Sequence, residues 1–495
     1  VIAAAQAALK KLARRSGKTG VLLGAPLPCP GKSGKRVQNA AVLLHKGKIA
    51  AVRAKTLLPT YDVFDEARYF EPARANAPAS FRGRKLGLSV CEDAWAQAPG
   101  EGRPYADDPL RRLAEQGAEI LINISASPFE RGKSLARRGL LAAQARRLKK
   151  PLLYCNLVGG NDELVFDGGS MAFDARGRLL SQAAFFEEDM VVVDASARAG
   201  AAQDARMRED EDGGVASLAA ALSLGIRDYA AKCGLKRALL GLSGGIDSAV
   251  TAALAVKALG PAGVTGVAMP SQYSSSHSLE DARALAKNLG VALLEIPIQG
   301  IVDSYLEALS RALGCKPSQL TEQNVQARVR GGLLMALANQ EDALLLSTGN
   351  KSELSMGYCT LYGDMCGGLA VLADADKETV YELARRLNKD RAVIPQSSID
   401  KPPSAELKPD QRDQDDLPPY PDLDAVLAGY VEERREPADI ARRGLPRELA
   451  LSVARRVDAA EYKRRQAPPG LKISKKAFGI GRRMPIARGD YRKLF

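Results

Sequence analysis

Between Thr19 and about Asp194, short apolar runs alternate with glycine turns. Gly20 to Leu23, Ala40 to Leu44, Ile49 to Arg53, Lys85 to Val90, Ile120 to Ile124, Leu152 to Asn156 and Met190 to Val193 have the length and content of strands. Pro109 to Gln116 and Ser134 to Lys149 carry a helical apolar period. Ahead of them, Val1 to Arg15 predicts an amphipathic helix whose charges follow its apolar part, the reverse of a signal peptide. Strands interleaved with a few helices predict a strand-rich α/β layered domain.

The pattern changes at Val215, where strand and helix alternate regularly. A helix over 217–233 precedes the strand that ends at Gly241, and a helix over 249–259 follows it. Strand Val264 to Met269, helix Ser278 to Leu289, strand Ala292 to Ile296, helix Glu322 to Asn339, strand Ala343 to Ser347 and helix Lys377 to Asn388 come next. Strands joined by helical crossovers predict a doubly wound parallel sheet with its ligand at the strands' carboxyl ends. Residues 195–214 have no apolar period, so the chain divides into domains over 1–200 and 217–495 with a linker at 201–216. Residues 395–424 are rich in Pro and Asp and predict an ordered or gated loop, and Lys463 to Arg488 a solvated basic tail.

The length of 495 residues agrees with two domains. No apolar run approaches the roughly 18 residues of a membrane span. Seven cysteines, odd in number and never spaced C-x-x-C, fit reduced thiols in a cytoplasm better than disulfides or a zinc site. A net charge of +13 suits anionic ligands. Without basic residues interleaved with aromatics, small phosphorylated substrates explain it more economically than nucleic acid.

The richest chemistry lies in Gly241, Leu242, Ser243, Gly244, Gly245, Ile246, Asp247 and Ser248. Glycines let backbone N–H groups approach an anion, the two serines add hydroxyl donors, and the next helix offers its N-terminal dipole. Asp247 repels phosphate unless a cation lies between them, which implies magnesium. The same letters satisfy G-x-S-x-G, with Ser243 as a hydrolase nucleophile. That reading needs an acid and then a histidine, and only His277 lies downstream, with Asp247 the only acid between. Gly31-Lys32-Ser33 and Gly132-Lys133-Ser134 look like P-loop ends but lack the first glycine.

In the first half, Cys91 stands where an apolar strand meets a turn, in Ser89-Val-Cys91-Glu92-Asp93. A reactive thiolate needs a cationic neighbour, and with histidine scarce the candidate is Lys55, in Lys55-Thr-Leu-Leu-Pro. These stretches, with Tyr61 and Asn123-Ile-Ser125-Ala-Ser127-Pro128, resemble the nitrilase and amidase superfamily. The resemblance implies an α-β-β-α layered domain in which Cys91 attacks a glutamine amide and Lys55 stabilises the oxyanion. It also implies that Tyr61, Ser125 and Arg131 contact glutamine. That family's general-base Glu lies on an early strand in a Phe-Pro-Glu context, and no residue here matches it. Either this half is dead or, the reading preferred here, the chain lacks its N-terminal segment and has an exposed sheet edge; the expectation is that it uses ammonia well and glutamine poorly or not at all.

Ser243-Gly-Gly-Ile-Asp247-Ser248 is similar to the loop of ATP pyrophosphatases, whose sheet is of the adenine nucleotide alpha hydrolase type. Met269-Pro-Ser271, Gln323-Asn324-Val-Gln-Ala-Arg328, Ser347-Thr348-Gly-Asn350-Lys-Ser-Glu353, Gly363-Asp364 and Lys401-Pro-Pro-Ser-Ala-Glu406 narrow the resemblance to the glutamine-dependent NAD synthetases. It implies that ATP adenylates the carboxylate of deamido-NAD and ammonia displaces AMP to give NAD. Gly241 to Ser248 and Thr348 would bind ATP, Asn324, Glu353 and Lys463 deamido-NAD, and Asp247 with Glu353 magnesium. A homo-oligomer is implied as well. Two alternatives remain at this stage. A relative that adenylates a different carboxylate or carbonyl would release pyrophosphate with xanthosine monophosphate rather than deamido-NAD. A basic nucleic-acid-binding protein would show salt-sensitive filter binding.

Overall fold

The structure is a computed structural model that describes residues 1–30, 34–98, 104–195 and 214–487. Most of the linker placed at 201–216, and the Gly31-Lys32-Ser33 triplet, lie outside the described residues. The chain forms two compact units, Val1–Gly159 with Phe166–Gly213, and Gly160–Val165 with Gly214–Phe495.

In the first unit, β1 (Val21–Pro28), β2 (Val37–His45) and β3 (Lys48–Ala54) form an antiparallel meander. Because side chains alternate across a strand, β2 serves two cores. Ala40, Val42 and Leu44 pack with Leu9 and Ala13 of the amphipathic helix Ile2–Arg15, while Ala41 and Leu43 meet Leu86, Leu88 and Val90 of a second sheet. That sheet contains β4 (Ala79–Phe81), β5 (Arg84–Val90), β6 (Ile120–Ser125) and β7 (Leu152–Asn156). After the hairpin of β8 (Val158–Asn161) and β9 (Leu164–Asp167), it is completed by β10 (Met171–Phe173) and β11 (Leu179–Gln182). Its other face is covered by helices Pro109–Glu115 and Lys133–Leu148, through Leu110, Leu113, Leu141 and Ala145. The layers therefore run α-β-β-α. Strands β5, β6 and β7 are parallel, so their carboxyl ends bring Cys91, Ser125 and Asn156 to one edge.

Met190–Val193 is not a strand. The run is apolar, yet no described strand pairs with it, and Met190 and Val192 are 85% and 92% exposed.

The second unit is built on a parallel sheet of β12 (Ala238–Gly241), β13 (Val264–Ala268), β14 (Ala292–Glu295), β15 (Leu344–Ser347) and β16 (Leu369–Ala370), in the spatial order 14-13-12-15-16. From β12 the chain winds outward through β13 and β14, then returns to place β15 on β12's other side. The order reverses between β12 and β15, which opens a crevice beyond their carboxyl ends. Helices Gln299–Leu313, Tyr420–Leu427 and Arg447–Ala459, which the hydrophobic pattern did not single out, belong to this unit as well.

The basic tail is not simply solvated. Gly470 bridges to Ala370 beside β16, and Leu471, Lys472, Ile473 and Lys476 are buried. Buried Lys351 explains this: its Nζ lies 2.9 Å from Asp374 and 2.6 Å from Glu432, and donates to Ser474 Oγ and the Lys476 carbonyl. Asp374 in turn accepts from the Ile473 and Ser474 N–H groups.

Candidate functional site

The first candidate centre surrounds Cys91, which opens a short 3-10 turn at the end of β5. Its φ of +45° lies in the left-handed region that a side chain rarely adopts, a strain typical of a residue aimed out of a strand-to-turn elbow. Burial raises the thiol's pKa, and the Lys55 ammonium works against that rise. Lys55 follows β3 directly and is almost wholly buried. Burial favours its neutral form, but Cys91 and Glu66 outweigh that and hold it above its ordinary value. Glu66 Oε1 lies 2.5 Å from Lys55 Nζ. The result is a fixed ammonium beside the thiol.

Asp93 joins the two segments. Its Oδ1 accepts from the Thr56 and Leu57 N–H groups at 3.0 and 2.9 Å, and its Oδ2 from Val90 N–H at 3.1 Å. One carboxylate thus staples the loop after Lys55 to the strand before Cys91. Burial pushes its pKa up to about 6 in spite of these bonds. Tyr61 and Tyr105 both donate to the buried Glu92 carboxylate, Tyr61 at 3.0 Å and Tyr105 at 2.9 Å. Burial raises Glu92, with the two hydroxyls opposing. Ser125 donates to Asn123 Oδ1 at 2.8 Å, and Asn123 donates to the Cys91 carbonyl at 3.3 Å. Arg131 stands exposed just before helix Lys133–Leu148. Cys91, Lys55, Tyr61 and Ser125 thus enter one network, while Arg131 stands at its solvent side. The sequence alone assigns no role to Glu66, Asp93 or Tyr105.

The second centre is the crevice of the parallel sheet, a cavity of about 290 Å³ lined by Gly241–Ser243, Gly245–Ser248, Thr348 and Glu353. The loop after β12 is internally braced: Gly245 N–H donates to Ser243 Oγ at 3.2 Å and Ser248 Oγ to the Gly245 carbonyl at 2.9 Å. Gly244 has φ +77° and approaches helix Ser276–Leu289 so closely that a Cβ would sit 2.2 Å from the Ser278 carbonyl oxygen. Only glycine fits there.

Asp247 opens helix Ile246–Leu259, and Glu353 lies in the first turn of helix Lys351–Met356. Asn350 connects them. Its Oδ1 accepts from Glu353 N–H at 2.9 Å as a helix cap, and its Nδ2 donates to Asp247 Oδ1 at 3.0 Å. Lys377 Nζ lies 2.6 Å from Asp247 and 3.7 Å from Glu353, with its side chain 1% exposed. Burial works against the Lys377 charge, but Asp247 and Glu353 hold its pKa above the ordinary value. Burial and the neighbouring Asp247 raise the Glu353 pKa, and the Lys377 ammonium opposes that rise. Asp413 and Arg330 also line the cavity. Burial lowers Arg330 to about 10, and its Nε donates to the Met269 carbonyl.

Asn324 lies one contact behind this wall, and Lys463 lies further back, bonded to the residues on either side of the cavity-lining Tyr358. Asn324 accepts from Thr360 Oγ1 at 2.8 Å, and Thr360 N–H donates to Asp364 at 2.6 Å; Thr360 and Asp364 face the cavity. Burial raises Asp364 to about 6. Lys463 donates to the Gly357 and Cys359 carbonyls, both at 2.7 Å. The segment 401–407 lines the cavity's other side, where Glu406 accepts from Ser278 Oγ at 2.6 Å and Gln326 donates to the Leu407 carbonyl. The hydrolase-elbow reading fails on geometry, since the His277 side chain is 86% exposed on a different element and contacts Glu280.

Magnesium fits this donor set. It takes one or two protein carboxylates and completes its shell with phosphate and water, and Asp247 and Glu353 converge on the same lysine beneath the anion loop. No group of three or more His, Cys, Asp or Glu residues suited to a metal occurs among the described residues.

Comparison with known proteins follows the same division. Residues 218–467 match the NAD synthase family and residues 1–204 the carbon-nitrogen hydrolase family. The glutamine-dependent NAD(+) synthetase of Synechocystis is 48% identical over 92% of this chain and 82% of its own length. That of Thermotoga maritima is 41% identical over 90% and 82%. The structure of the glutamine-dependent NAD+ synthetase from Acinetobacter baumannii in complex with adenosine diphosphate is 37% identical, covers 98% of this chain and 87% of that one, and superposes with a TM-score of 0.71.

Proposed function

The chain belongs to the glutamine-dependent NAD(+) synthetase family, and on that premise we propose roles for its residues in the ATP-dependent amidation of deamido-NAD. The carboxylate of the nicotinate ring is a poor electrophile. Its oxygen attacks the α-phosphate of ATP, pyrophosphate leaves, and ammonia then displaces AMP from the acyl carbon. The loop Gly241–Ser248 holds the departing pyrophosphate through backbone N–H groups, Ser243, Ser248 and the helix dipole. Lys377 holds Asp247 and Glu353 in place and offsets their charge as the phosphates approach. Asp247 and Glu353 would hold magnesium, which would supply further neutralisation of the phosphate charge. Thr348 contacts ATP from the end of β15. Asn324, Glu353 and Lys463 act on deamido-NAD, Asn324 through Thr360 and Lys463 by fixing the turn at Gly357–Cys359.

In the first unit the Cys91 sulfur attacks the glutamine side-chain amide, the C–N bond breaks, the thiol proton leaves with the nitrogen as ammonia, and water then frees glutamate from the Cys91 thioester; Lys55, kept charged by Glu66, stabilises the oxyanion. Tyr61, Ser125 and Arg131 bind glutamine, with Arg131 paired to its α-carboxylate. Domains over 1–200 and 217–495 follow from this assignment. The same reading makes the protein a cytoplasmic homo-oligomer, from its scattered cysteines and its family resemblance. Among the described residues no helix is long and apolar enough to cross a membrane.

The observation that carries the proposal is the convergence of Asp247, Glu353 and Lys377 on the anion loop at the point where the sheet's strand order reverses. Pyrophosphate release tests it. Deamido-NAD with ATP is expected to trigger release, and xanthosine monophosphate is not; the opposite result would overturn the assignment.

A further inference from the structure

Behind the first centre lies an ion pair that the proposed chemistry does not use. Arg137, from the first turns of helix Lys133–Leu148, and Asp167, at the end of β9, meet at 2.6 Å with side chains 0% and 1% exposed. The Arg137 guanidinium lies 5.7 Å from the Tyr154 ring centre, and its Nε and Nη1 have no hydrogen-bond partner among the described residues. Such a pair is a weak source of stability. Two charges have been taken out of water, two buried donors are left unmet, and an apolar pair of similar size often does as well or better.

Its other contacts suggest a different role. Asp167 Oδ1 accepts from Asn156 Nδ2 at 3.0 Å, and the Gly168 carbonyl accepts from the same nitrogen at 2.9 Å. With its nitrogen committed on that side, the Asn156 amide can turn only its oxygen toward the next loop. That oxygen accepts from Ser127 N–H at 3.0 Å. Ser127 lies inside the stretch that runs from Ser125 to Arg131, the residues assigned to glutamine.

We propose that Arg137 and Asp167 are positioning residues for the glutamine site, fixing the Ser125–Arg131 loop through the orientation of the Asn156 amide. Arg137 holds the Asp167 carboxylate in one rotamer, Asp167 selects the amide orientation, and the amide pins the loop at Ser127. The inference rests on the reading of Ser125 and Arg131 as glutamine contacts.

Glutamine binding to the full chain carrying Cys91→Ala tests it by calorimetry without turnover. Arg137→Met with Asp167→Leu is expected to leave the melting temperature unchanged or higher and to weaken glutamine about tenfold. Asn156→Ala is expected to weaken it to a similar extent, and the triple variant no further, because all three residues act along one path. Ammonia-supported NAD formation, with Cys91 restored, is expected to stay the same. Unchanged glutamine affinity in both Arg137→Met/Asp167→Leu and Asn156→Ala, or fully additive losses, would overturn the proposal. Should the apolar pair prevent folding, Asn156→Ala with unchanged affinity would overturn it alone. A Cys91→Ala chain that binds no glutamine would instead remove the glutamine reading itself, and this inference with it.

Discussion

The two centres handle charge in opposite ways. Around Cys91 three buried ionisable groups are committed before substrate arrives: Lys55 to Glu66, Asp93 to three backbone N–H groups, Glu92 to two tyrosine hydroxyls. In the crevice of the parallel sheet, two carboxylates crowd one lysine beside the glycine-rich loop that lines the cavity. The difference follows the chemistry. A neutral amide brings no charge of its own, so the residues that stabilise its transition state have to be set in advance. A nucleotide brings several negative charges, and a site that accepts it leaves donors and carboxylates for phosphate and cation to complete.

Asp247 offers the strongest way to break this comparison. Asp247→Asn is expected to lower NAD formation by about a hundredfold or more with either nitrogen donor, measured as pyrophosphate release. A loss confined to glutamine would contradict it. Lys377→Met follows, because it leaves Asp247 and Glu353 facing each other without their cation. The variant should lose about 3–5 kcal/mol of stability at neutral pH and bind ATP more weakly, as thermal melting and nucleotide titration would report. An unchanged melting curve would show that the carboxylates do not need this lysine.

A smaller effect sharpens the other side. Asp93 has its pKa raised to about 6 by burial. A raised acid binds its proton more tightly in the folded state. Its contribution to stability is therefore full below its unfolded value of about 4 and is lost as pH rises through about 6. Protonation also removes an acceptor from the staple between Lys55 and Cys91. Glutamine hydrolysis is expected to fall as pH drops through about 6 while this group's contribution to stability rises, and Asp93→Asn should remove that limb of the rate profile. The smallest effect is expected for Lys463→Met, a severalfold rise in the KM for deamido-NAD, since two carbonyls lose one shared donor worth about 1 kcal/mol. An effect on ATP alone would contradict the role given to Lys463.

The chemistry-bearing stretches were legible because each is local. The loop Gly241–Ser248, the turn at Cys91 and the cap at Asn350–Glu353 announce themselves within a few residues. Lys377 did not, since 130 residues separate it from Asp247 and a lysine at a helix start looks solvated. Asp93 was visible beside Cys91, but its hold on Thr56 and Leu57 depends on strands β3 and β5 coming together. Met190–Val193 has a strand's composition without a partner, and the basic tail hides Leu471 and Ile473 among its lysines. Local pattern reports what a segment prefers, and long-range pairing decides whether it is satisfied.

The division of labour between the two centres is tested most directly by NAD formation in Cys91→Ala with each nitrogen donor in turn. The account predicts that whatever synthesis glutamine supports in the unaltered chain falls to background while ammonia-supported synthesis stays within about twofold of the unaltered chain. Loss of both activities, or survival of the glutamine-supported one, would contradict it.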